Sequence, residues 1–374
     1  MKIGIDARAI TLYKGTGIGT YTENVARELL KIDTKNSYTL YWCGTNYKSF
    51  FKDNCNINLL SKGHHNFFET KYLPYNIMSN NLDIYHIPQN GIGFNENLPC
   101  LKLATIHDLI PYVMPETVGR GYLLKFLRSM PIIIEKCDAL ITVSEYSKKD
   151  ILKFFPVDPN KIFVTPLAAN SNYKVLNKQN CKNYLSKKYN LNDKFILYIG
   201  GFSPRKNVNG LIEAFSRVSE NISCNLKLVI VGSYKDDIKN LNLLCSKLNI
   251  IGKVIFTGYV EETELPIFYN TCEIFVYPSL YEGFGLPPLE AMSCGAPVIT
   301  SNTTSIPEVV KDSGILINPN KVSEIESAIW KVLADDELKN NLKASGLKNA
   351  QNFSWEKTAR KTLEVYEKIY GETL

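Results

Sequence analysis

The feature that most constrains the fold of this chain is a regular alternation of short apolar runs with amphipathic stretches. This alternation is typical of βαβ units, in which parallel strands are connected by helices that cover the sheet. In the first half the predicted strands are 2–6, 38–43, 83–87, 101–106, 139–143 and 162–165, and the predicted helices are 19–31, 116–134 and 145–154. In the second half the strand-like runs are FILYIG, NLKLVIVG, KVIFTG, EIFVYP and APVITS. The sequence therefore predicts an α/β fold with parallel sheets.

Length and a change in composition divide the chain into two domains. With 374 residues the chain exceeds what one hydrophobic core usually covers. A polar stretch rich in Asn and Lys, residues 168–188, separates the two halves of the pattern. We therefore expect a first domain over 1–170, a second over 171–354, and a last helix over 355–374 with Ser354 as its N-cap. That helix is a candidate for packing back on the first domain.

Bulk composition restricts the class of protein and its partners. A hydrophobic content of 45% and a charged content of 21% are ordinary for a globular protein. The chain has no apolar run long enough to span a membrane and opens on the strand-like MKIGID, which predicts a cytoplasmic protein. The 9 cysteines form no CxxC pair, which disfavours a zinc site. A net charge of +6 is too small to indicate nucleic acid, but it suits an acidic ligand or an anionic membrane surface.

The turns at the carboxyl ends of strands are the places to search for a site, because ligands of open α/β sheets bind there. The first glycine-rich turn, KGTGIGTY, contains Gly15 and Gly17 and precedes a helix whose N-terminus attracts anions. Thr20 stands where the dinucleotide-binding fingerprint requires Gly or Ala, and a simple packing turn stays open as an alternative. His107 ends a buried strand beside Asp108, which makes it the histidine best placed to contact a ligand.

Two cations follow the strand FILYIG in the turn GGFSPRKN. Gly200 and Gly201 let the backbone approach a ligand, and Arg205 and Lys206 stand at the start of a helix predicted over 207–220, which begins at Asn207. A guanidinium grips phosphate oxygens as a fork, and an ammonium acts as a point charge. Cations at a helix N-terminus oppose the helix dipole, so this arrangement favours a bound anion such as a diphosphate.

The stretch EGFGLPPLE, residues 282–290, sets two carboxylates on either side of a glycine-rich turn. The turn itself is Gly283, Phe284, Gly285 and Leu286, and the prolines after it suit the first turn of a helix. Glu282 is expected before that helix and Glu290 inside it. Carboxylates accept hydrogen bonds from the hydroxyl groups of a ribose or a hexose, so the two turns together indicate a nucleoside-diphosphate sugar.

With these motifs in hand, the chain resembles the retaining glycosyltransferases of family 4, which have the GT-B fold. The resemblance covers nearly the whole length through the first glycine-rich turn, HDL, GGFSPRKN, FTGYV and EGFGLPPLEAMSCGAPVITSN. It implies two facing Rossmann-like domains with a cleft between them, the donor nucleotide bound mainly by the second and the acceptor mainly by the first. The IGTYTEN and HDLIP stretches are similar to bacterial mannosyltransferases that build surface polysaccharides.

The resemblance also assigns a role to each motif. Arg205 and Lys206 would bind the donor diphosphate, and Glu290 would bind the ribose. Glu282 would contact the transferred sugar, and the backbone after it would contact the sugar and the phosphate. By the same resemblance, the base would lie against Tyr259 and Val260, His107 would face the sugar, and the Gly15–Gly19 turn would close on the phosphates and the acceptor.

The resulting hypothesis is a retaining hexosyltransferase with no cofactor and no metal. Arg205 and Lys206 would neutralise the leaving diphosphate, a task that other folds give to a metal, and no Asp-x-Asp pair stands in a strand-end turn. Mannose is the favoured sugar, with glucose and N-acetylhexosamine left open. The alternatives are a nucleotide-sugar epimerase of the same fold and a catalytically silent partner subunit that binds nucleotide sugars. An NAD dehydrogenase is disfavoured by Thr20 and by the lack of a ribose carboxylate after the second strand.

The expected acceptor is a glycan or a polyprenol-linked glycan. Residues 119–134, GRGYLLKFLRSMPIII, mix cations with apolar side chains, a composition that allows a helix to lie on an anionic membrane surface. This gives a candidate peripheral contact with the inner face of the plasma membrane. A core helix whose cations reach the solvent is the competing interpretation, and Pro131 is expected to limit the helix.

Overall fold

Two parallel β-sheets organise the computed structural model, which describes residues 1–61, 63–222, 225–233 and 238–372. Contacts divide the chain into a first unit, Met1–Leu167 together with the residues from Ser354 onwards, and a second unit, Ala168–Phe353. The change from one unit to the next thus comes after Leu167 and after Phe353, whereas the sequence placed the boundaries after residues 170 and 354.

The first unit contains a sheet of 7 strands in the order β3-β2-β1-β4-β5-β6-β7, and every pairing in it is parallel. The strands are β1 Lys2–Asp6, β2 Ser37–Cys43, β3 Cys55–Leu60, β4 Ile84–Ile87, β5 Leu101–Ile106, β6 Ala139–Thr142 and β7 Ile162–Val164. The sequence missed β3, because CNINLL is a half-exposed edge strand with polar residues between its apolar ones. The strand order reverses at β1, which has β2 on one side and β4 on the other.

Helices cover this sheet, and their apolar faces supply much of its core. They are α1 Ala9–Leu12, α2 Gly17–Ile32, α3 His65–Phe67, α4 Leu73–Asn80, α5 Ile110–Val113, α6 Arg120–Lys136 and α7 Glu145–Phe154. A π-helical turn, Phe68–Tyr72, joins α3 to α4. The expectation that Pro131 limits its helix is wrong: α6 continues to Lys136. Burial of Met130, Ile133 and Ile134 on both sides of the proline outweighs the lost backbone hydrogen bond.

The second unit contains a sheet of 6 parallel strands in the order β10-β9-β8-β11-β12-β13. The strands are β8 Lys194–Ile199, β9 Leu226–Val231, β10 Val254–Gly258, β11 Ile274–Tyr277, β12 Val298–Ser301 and β13 Ile315–Ile317. Five of them were predicted, and the short edge strand β13 was not. The order reverses at β8, which lies between β9 and β11, so the carboxyl ends of β8 and β11 form the switch point where such sheets bind ligands.

The helices of the second unit connect these strands. They are α8 Lys178–Tyr189, α9 Val208–Asn221, α10 Ile238–Lys247, α11 Leu265–Thr271, α12 Leu286–Ser293, α13 Ile306–Val310, α14 Val322–Ala334 and α15 Asp336–Ala350. The last helix, α16 Trp355–Gly371, belongs to the first unit and packs on α2. Its N-cap is Ser354, whose side chain accepts a hydrogen bond from the Lys357 amide. Among the described residues, no helix is both long enough and apolar enough to cross a membrane.

Candidate active site

The Glu282 carboxylate is the centre of the candidate site, at the switch point of the second sheet. Four side chains donate to its Oε1: Arg205 Nη1 at 3.0 Å, Lys206 Nζ at 2.6 Å, Tyr277 Oη at 3.0 Å and Ser279 Oγ at 2.5 Å. Within the described residues no donor reaches its Oε2. Burial by itself would raise the pKa of this carboxyl, but the charges of Lys206 and Arg205 outweigh burial and hold the pKa at about 2. Glu282 is therefore an anion with one oxygen fixed by the protein.

Arg205 and Lys206 occupy a single 3₁₀ turn, Pro204–Lys206, that precedes α9. Their side chains are only 20% and 12% exposed, and Lys206 also contacts the Tyr277 hydroxyl. The sequence argument that these cations favour a bound anion was therefore incomplete, since Glu282 already supplies a carboxylate to both. Asn207, in the left-handed conformation with φ of 54°, leads into α9 and donates from Nδ2 to the Pro319 carbonyl at 2.7 Å.

The glycine-rich turn after Glu282 is anchored by α13 and by Ser305, which directly precedes that helix. Ser305 Oγ lies 2.8 Å from the carbonyl oxygens of both Glu282 and Phe284. Gly285 has a φ of 114°, and a Cβ atom there would lie 2.8 Å from Ile306 Cδ1, so this position requires glycine. Leu286 then begins α12, as the sequence predicted. Gly283 is held between these anchored positions, so the backbone of the whole turn is fixed beside Glu282.

Glu290 lies within α12, where it is partly buried beside two tyrosines. Tyr269 Oη donates to its Oε2 at 3.2 Å, and the hydroxyl of the buried Tyr173 is near enough to lower the pKa of this carboxyl slightly. Burial raises the pKa of Glu290 to about 8, and Glu262 contributes in the same direction. The two glutamates of the motif therefore have opposite electrostatic settings, one a stable anion and the other a carboxyl that is largely protonated at neutral pH.

The remaining predicted residues of the second unit lie at strand ends. Gly200 and Gly201 follow β8 directly, and the Tyr198 hydroxyl donates to the Gly201 carbonyl at 2.7 Å. After β10, Tyr259 is 67% exposed whereas Val260 is buried. Tyr259 is thus the residue of this pair that is open to the solvent.

His107, Gly15 and Gly17 belong to the first unit. His107 is buried, and its Nε2 donates to the Pro88 carbonyl at 2.8 Å, while its ring meets Tyr21 edge-on at 4.8 Å. Burial lowers the pKa of His107 to about 4, so the ring is neutral at pH 7 and keeps only Nδ1 as an acceptor. Gly15 is exposed with a φ of 77°, and Gly17 is the first residue of α2.

Sequence reasoning missed the side chains that hold the two glutamates. Tyr277 is the last residue of β11, and Ser279 follows it in the loop before Glu282. The signal for both was their place at the end of a buried strand, next to a residue already singled out. Tyr173 and Tyr269 gave no such signal, because Tyr173 lies in the polar stretch at the start of the second unit and Tyr269 lies within α11.

Comparisons with known proteins identify the family of this chain. The model of Glycosyl transferases group 1 matches residues 183–349, and that of Glycosyltransferase Family 4 matches residues 15–172. The O-antigen chain mannosyltransferase B of Escherichia coli is 35% identical over 267 residues, which are 71% of this chain and 70% of that protein. A serotype-specific mannosyltransferase WbdA of Escherichia coli is 31% identical over 280 residues, or 73% of this chain but 34% of the longer relative.

Solved structures share the fold over the full length. Sucrose-phosphate synthase from Thermosynechococcus elongatus superimposes with a TM-score of 0.78 at 20% identity, covering 100% of both chains. WaaG, a glycosyltransferase involved in lipopolysaccharide biosynthesis, has a TM-score of 0.71 at 16% identity, covering 97% of this chain and 98% of that one. The family models, the curated relatives and the fold agree: this chain belongs to glycosyltransferase family 4, has the GT-B fold and is a hexosyltransferase.

Proposed function

We propose that this protein is a retaining, metal-independent glycosyltransferase that moves a hexose, with mannose favoured, from a nucleoside-diphosphate sugar to a growing surface glycan. The observation that carries the proposal is the Glu282 carboxylate held by Arg205 and Lys206 at the switch point of the second sheet. The choice of mannose and of a surface polysaccharide is supported by the relatives in Escherichia coli, which are O-antigen and serotype-specific mannosyltransferases.

The proposed chemistry begins with the departure of the nucleoside diphosphate. As the sugar–phosphate bond breaks, negative charge grows on the leaving oxygen, and Arg205 and Lys206 are the cations in reach to stabilise it. In a partly buried site the attraction between each cation and the leaving group is much stronger than it would be in water. These fixed cations support metal independence, since they supply the positive charge that a divalent ion supplies elsewhere.

Glu282 is proposed to bind the transferred sugar through its Oε2. The other oxygen is saturated by protein donors, so a sugar hydroxyl is the natural partner of the second. The low pKa and the four donors also make this carboxylate a weak nucleophile. That supports front-face attack guided by the leaving phosphate over a covalent glycosyl–enzyme intermediate.

The nucleoside is proposed to extend from Glu282 towards Glu290 and Tyr259. Glu290 would accept from the ribose hydroxyls, the exposed Tyr259 ring would stack on the base, and the buried Val260 would support the loop. On the first unit, His107 is proposed to accept a hydrogen bond from a sugar hydroxyl at Nδ1. The Gly15–Gly19 turn is proposed to close on the phosphates and the acceptor.

The acceptor is proposed to be a glycan or polyprenol-linked glycan at the cytoplasmic face of a membrane. Helix α6 supports this, because only one side of it is buried and Tyr122, Leu124, Leu127 and Ile132 are exposed beside the cations Arg120, Lys125 and Arg128. A basic helix with exposed apolar side chains suits peripheral contact with anionic lipid. The segment of α3 and α4 exposes Phe67, Tyr75 and Met78 as well, and it shares the packing residue Phe94 with the cluster beneath α6.

Two alternatives predict different products. An epimerase would return a nucleotide sugar of changed configuration, and a silent partner subunit would bind nucleotide sugar without turnover. A thermal-shift screen of GDP, UDP, ADP and dTDP sugars would select the donor, and chromatography of the labelled donor with a glycan acceptor would identify the product. The proposal predicts free nucleoside diphosphate and a labelled glycan. An epimerised nucleotide sugar would show that the protein is an epimerase instead. Binding of the donor with neither transfer nor hydrolysis would show that it is a silent partner subunit.

A further inference from the structure

We propose that the switch point of the first sheet is an acceptor-sugar subsite and that the Glu69 carboxylate selects a neutral, hydroxyl-rich sugar there. The inference rests on the proposed function for the existence of a glycan acceptor, and it adds the residue that recognises it. Glu69 lies in the π-helical turn Phe68–Tyr72.

The position within the fold is the first argument. The order of the first sheet reverses at β1, so the carboxyl ends of β1 and β4 flank the crevice in which open α/β sheets bind ligands. Strand β1 ends at Asp6, and Gln89 follows the end of β4. The second sheet carries its arginine–carboxylate cluster at the equivalent point, between β8 and β11.

A buried arginine network occupies this crevice. Arg8 is 3% exposed and grips Asp6 with a fork, Nε to Oδ1 at 2.9 Å and Nη2 to Oδ2 at 2.6 Å. Gln89 Nε2 donates to the same Asp6 Oδ2 at 2.9 Å, and the guanidinium lies 4.5 Å from the centre of the Phe68 ring. Gln89 Oε1 is buried and has no hydrogen-bond partner among the described residues. Arg8 is thus fixed on two sides and balanced in charge by Asp6.

Glu69 adds a second carboxylate to an arginine that is already neutralised. Arg8 Nη1 donates to Glu69 Oε1 at 3.1 Å, while the Glu69 side chain keeps 24% exposure. No donor from the described part of the chain reaches its Oε2. The cluster of one cation and two carboxylates therefore carries a net negative charge, and Glu69 is the carboxylate of the two that is partly exposed to solvent.

The surroundings fix this carboxylate and bring a tyrosine hydroxyl near it. Gly93 has a φ of 92°, and a Cβ there would lie 2.5 Å from Arg8 Nη2 and 2.8 Å from Glu69 Oε1, so the backbone is pressed against the pair. The Tyr13 hydroxyl lies within electrostatic range of Arg8, Asp6 and Glu69. Aromatic rings with a few fixed polar groups are the usual lining of small-molecule sites. A carboxylate accepts from sugar hydroxyls and repels anionic sugars, which gives the selectivity.

The test compares Glu69→Gln with Glu96→Gln, an exposed glutamate between β4 and β5 that serves as the matched control. The probes are methyl α-mannoside, methyl glucoside, methyl N-acetylglucosaminide and methyl glucuronide, and binding is measured by saturation-transfer NMR without donor. GDP or UDP binding to each variant reports that the protein is folded. Because the readout needs no turnover, it is separate from a failure of the proposed glycosyl transfer.

We expect the unaltered protein to bind a neutral glycoside better than the glucuronide. Glu69→Gln should weaken binding of the neutral glycoside about tenfold, which is the difference between a charged and a neutral hydrogen-bond acceptor. The same change should reduce the ratio between the affinities for the neutral glycoside and for the glucuronide. Glu96→Gln should change neither. Unchanged neutral-sugar affinity in Glu69→Gln, a preference of the unaltered protein for glucuronide, or no binding of any neutral glycoside would overturn the inference.

Discussion

At the scale of residues, the candidate active site is built from side chains that are far apart in the chain. Arg205 and Glu282 are separated by 77 positions and lie 3.0 Å apart. Sequence reasoning identified each from its own strand-end turn, but it could not pair them, since the pairing depends on β8 and β11 being neighbours in the sheet. The order of strands is a property of the whole unit, and no local pattern encodes it.

Replacing Arg205 and Lys206 together by alanine should lower turnover by roughly two to three orders of magnitude, as loss of a transition-state donor does. The pairing with Glu282 adds a second effect. Because the carboxylate would lose both cations in a partly buried site, the free energy of unfolding should fall by about 3 kcal/mol or more. Steady-state kinetics and urea unfolding measure the two effects. Near-normal turnover in the folded double variant would contradict the assignment.

Glu282→Gln keeps the shape of the side chain and removes its charge. Transfer should be lost by about ten- to a hundredfold or more, because a charge-assisted hydrogen bond to the sugar contributes about 1.5–3 kcal/mol. Binding of the bare nucleoside diphosphate should persist, which calorimetry can check. If nucleotide binding falls instead, Glu282 belongs to the ribose or base site.

Glu290 gives a pH dependence of stability with a definite sign. Its pKa is raised from 4.5 to about 8, so the unfolded chain releases this proton at lower pH than the folded protein does. The contribution of Glu290 to stability is therefore complete below pH 4.5 and declines as the pH rises towards 8. Glu290→Gln should remove that decline, so the variant gains stability relative to the unaltered protein at pH 8 but not at pH 4. Urea unfolding across this range measures it, and parallel curves would show that Glu290 is not buried in solution.

At the scale of elements, the apolar pattern predicted the central strands of both sheets well but missed two edge strands. A strand stands at every predicted position, because buried parallel strands are near-continuous apolar runs. The missed strands, β3 and β13, are edge strands with weaker apolar patterns. Helix α6 continues through Pro131 because its packing against the core outweighs the helix-breaking tendency of proline. A rule based on the proline alone does not include that packing.

Helix α6 is the element with a testable surface role. Unaltered protein should float with anionic liposomes and dissociate as salt rises, since its exposed cations would lie near the lipid phosphates. Arg120→Glu with Lys125→Glu should abolish flotation. The matched control is Lys31→Glu with Lys35→Glu, which makes the same charge change at exposed lysines elsewhere on the first unit. This control should still float. No flotation of the unaltered protein at low salt would leave a soluble acceptor or a membrane partner as the better account.

At the scale of the whole molecule, the sequence predicted the α/β class and the two-unit organisation. The finer features were out of reach for physical reasons. The pKa of Glu282 depends on cations that a distant turn provides, and the Arg8 network depends on β1 and β4 being neighbours. Both lie at points where the strand order reverses, which only the assembled sheets define.

The central claim is that this hexosyltransferase uses fixed cations to release the diphosphate and keeps the configuration of the sugar. The most direct measurement is proton NMR of the glycan made from the donor selected by thermal shift, with the reaction run in excess EDTA. The account predicts a product whose new linkage has the anomeric configuration of the donor, formed at a rate that EDTA leaves unchanged. A product of inverted configuration, or a reaction that stops in EDTA and resumes with Mg²⁺ or Mn²⁺, would contradict it.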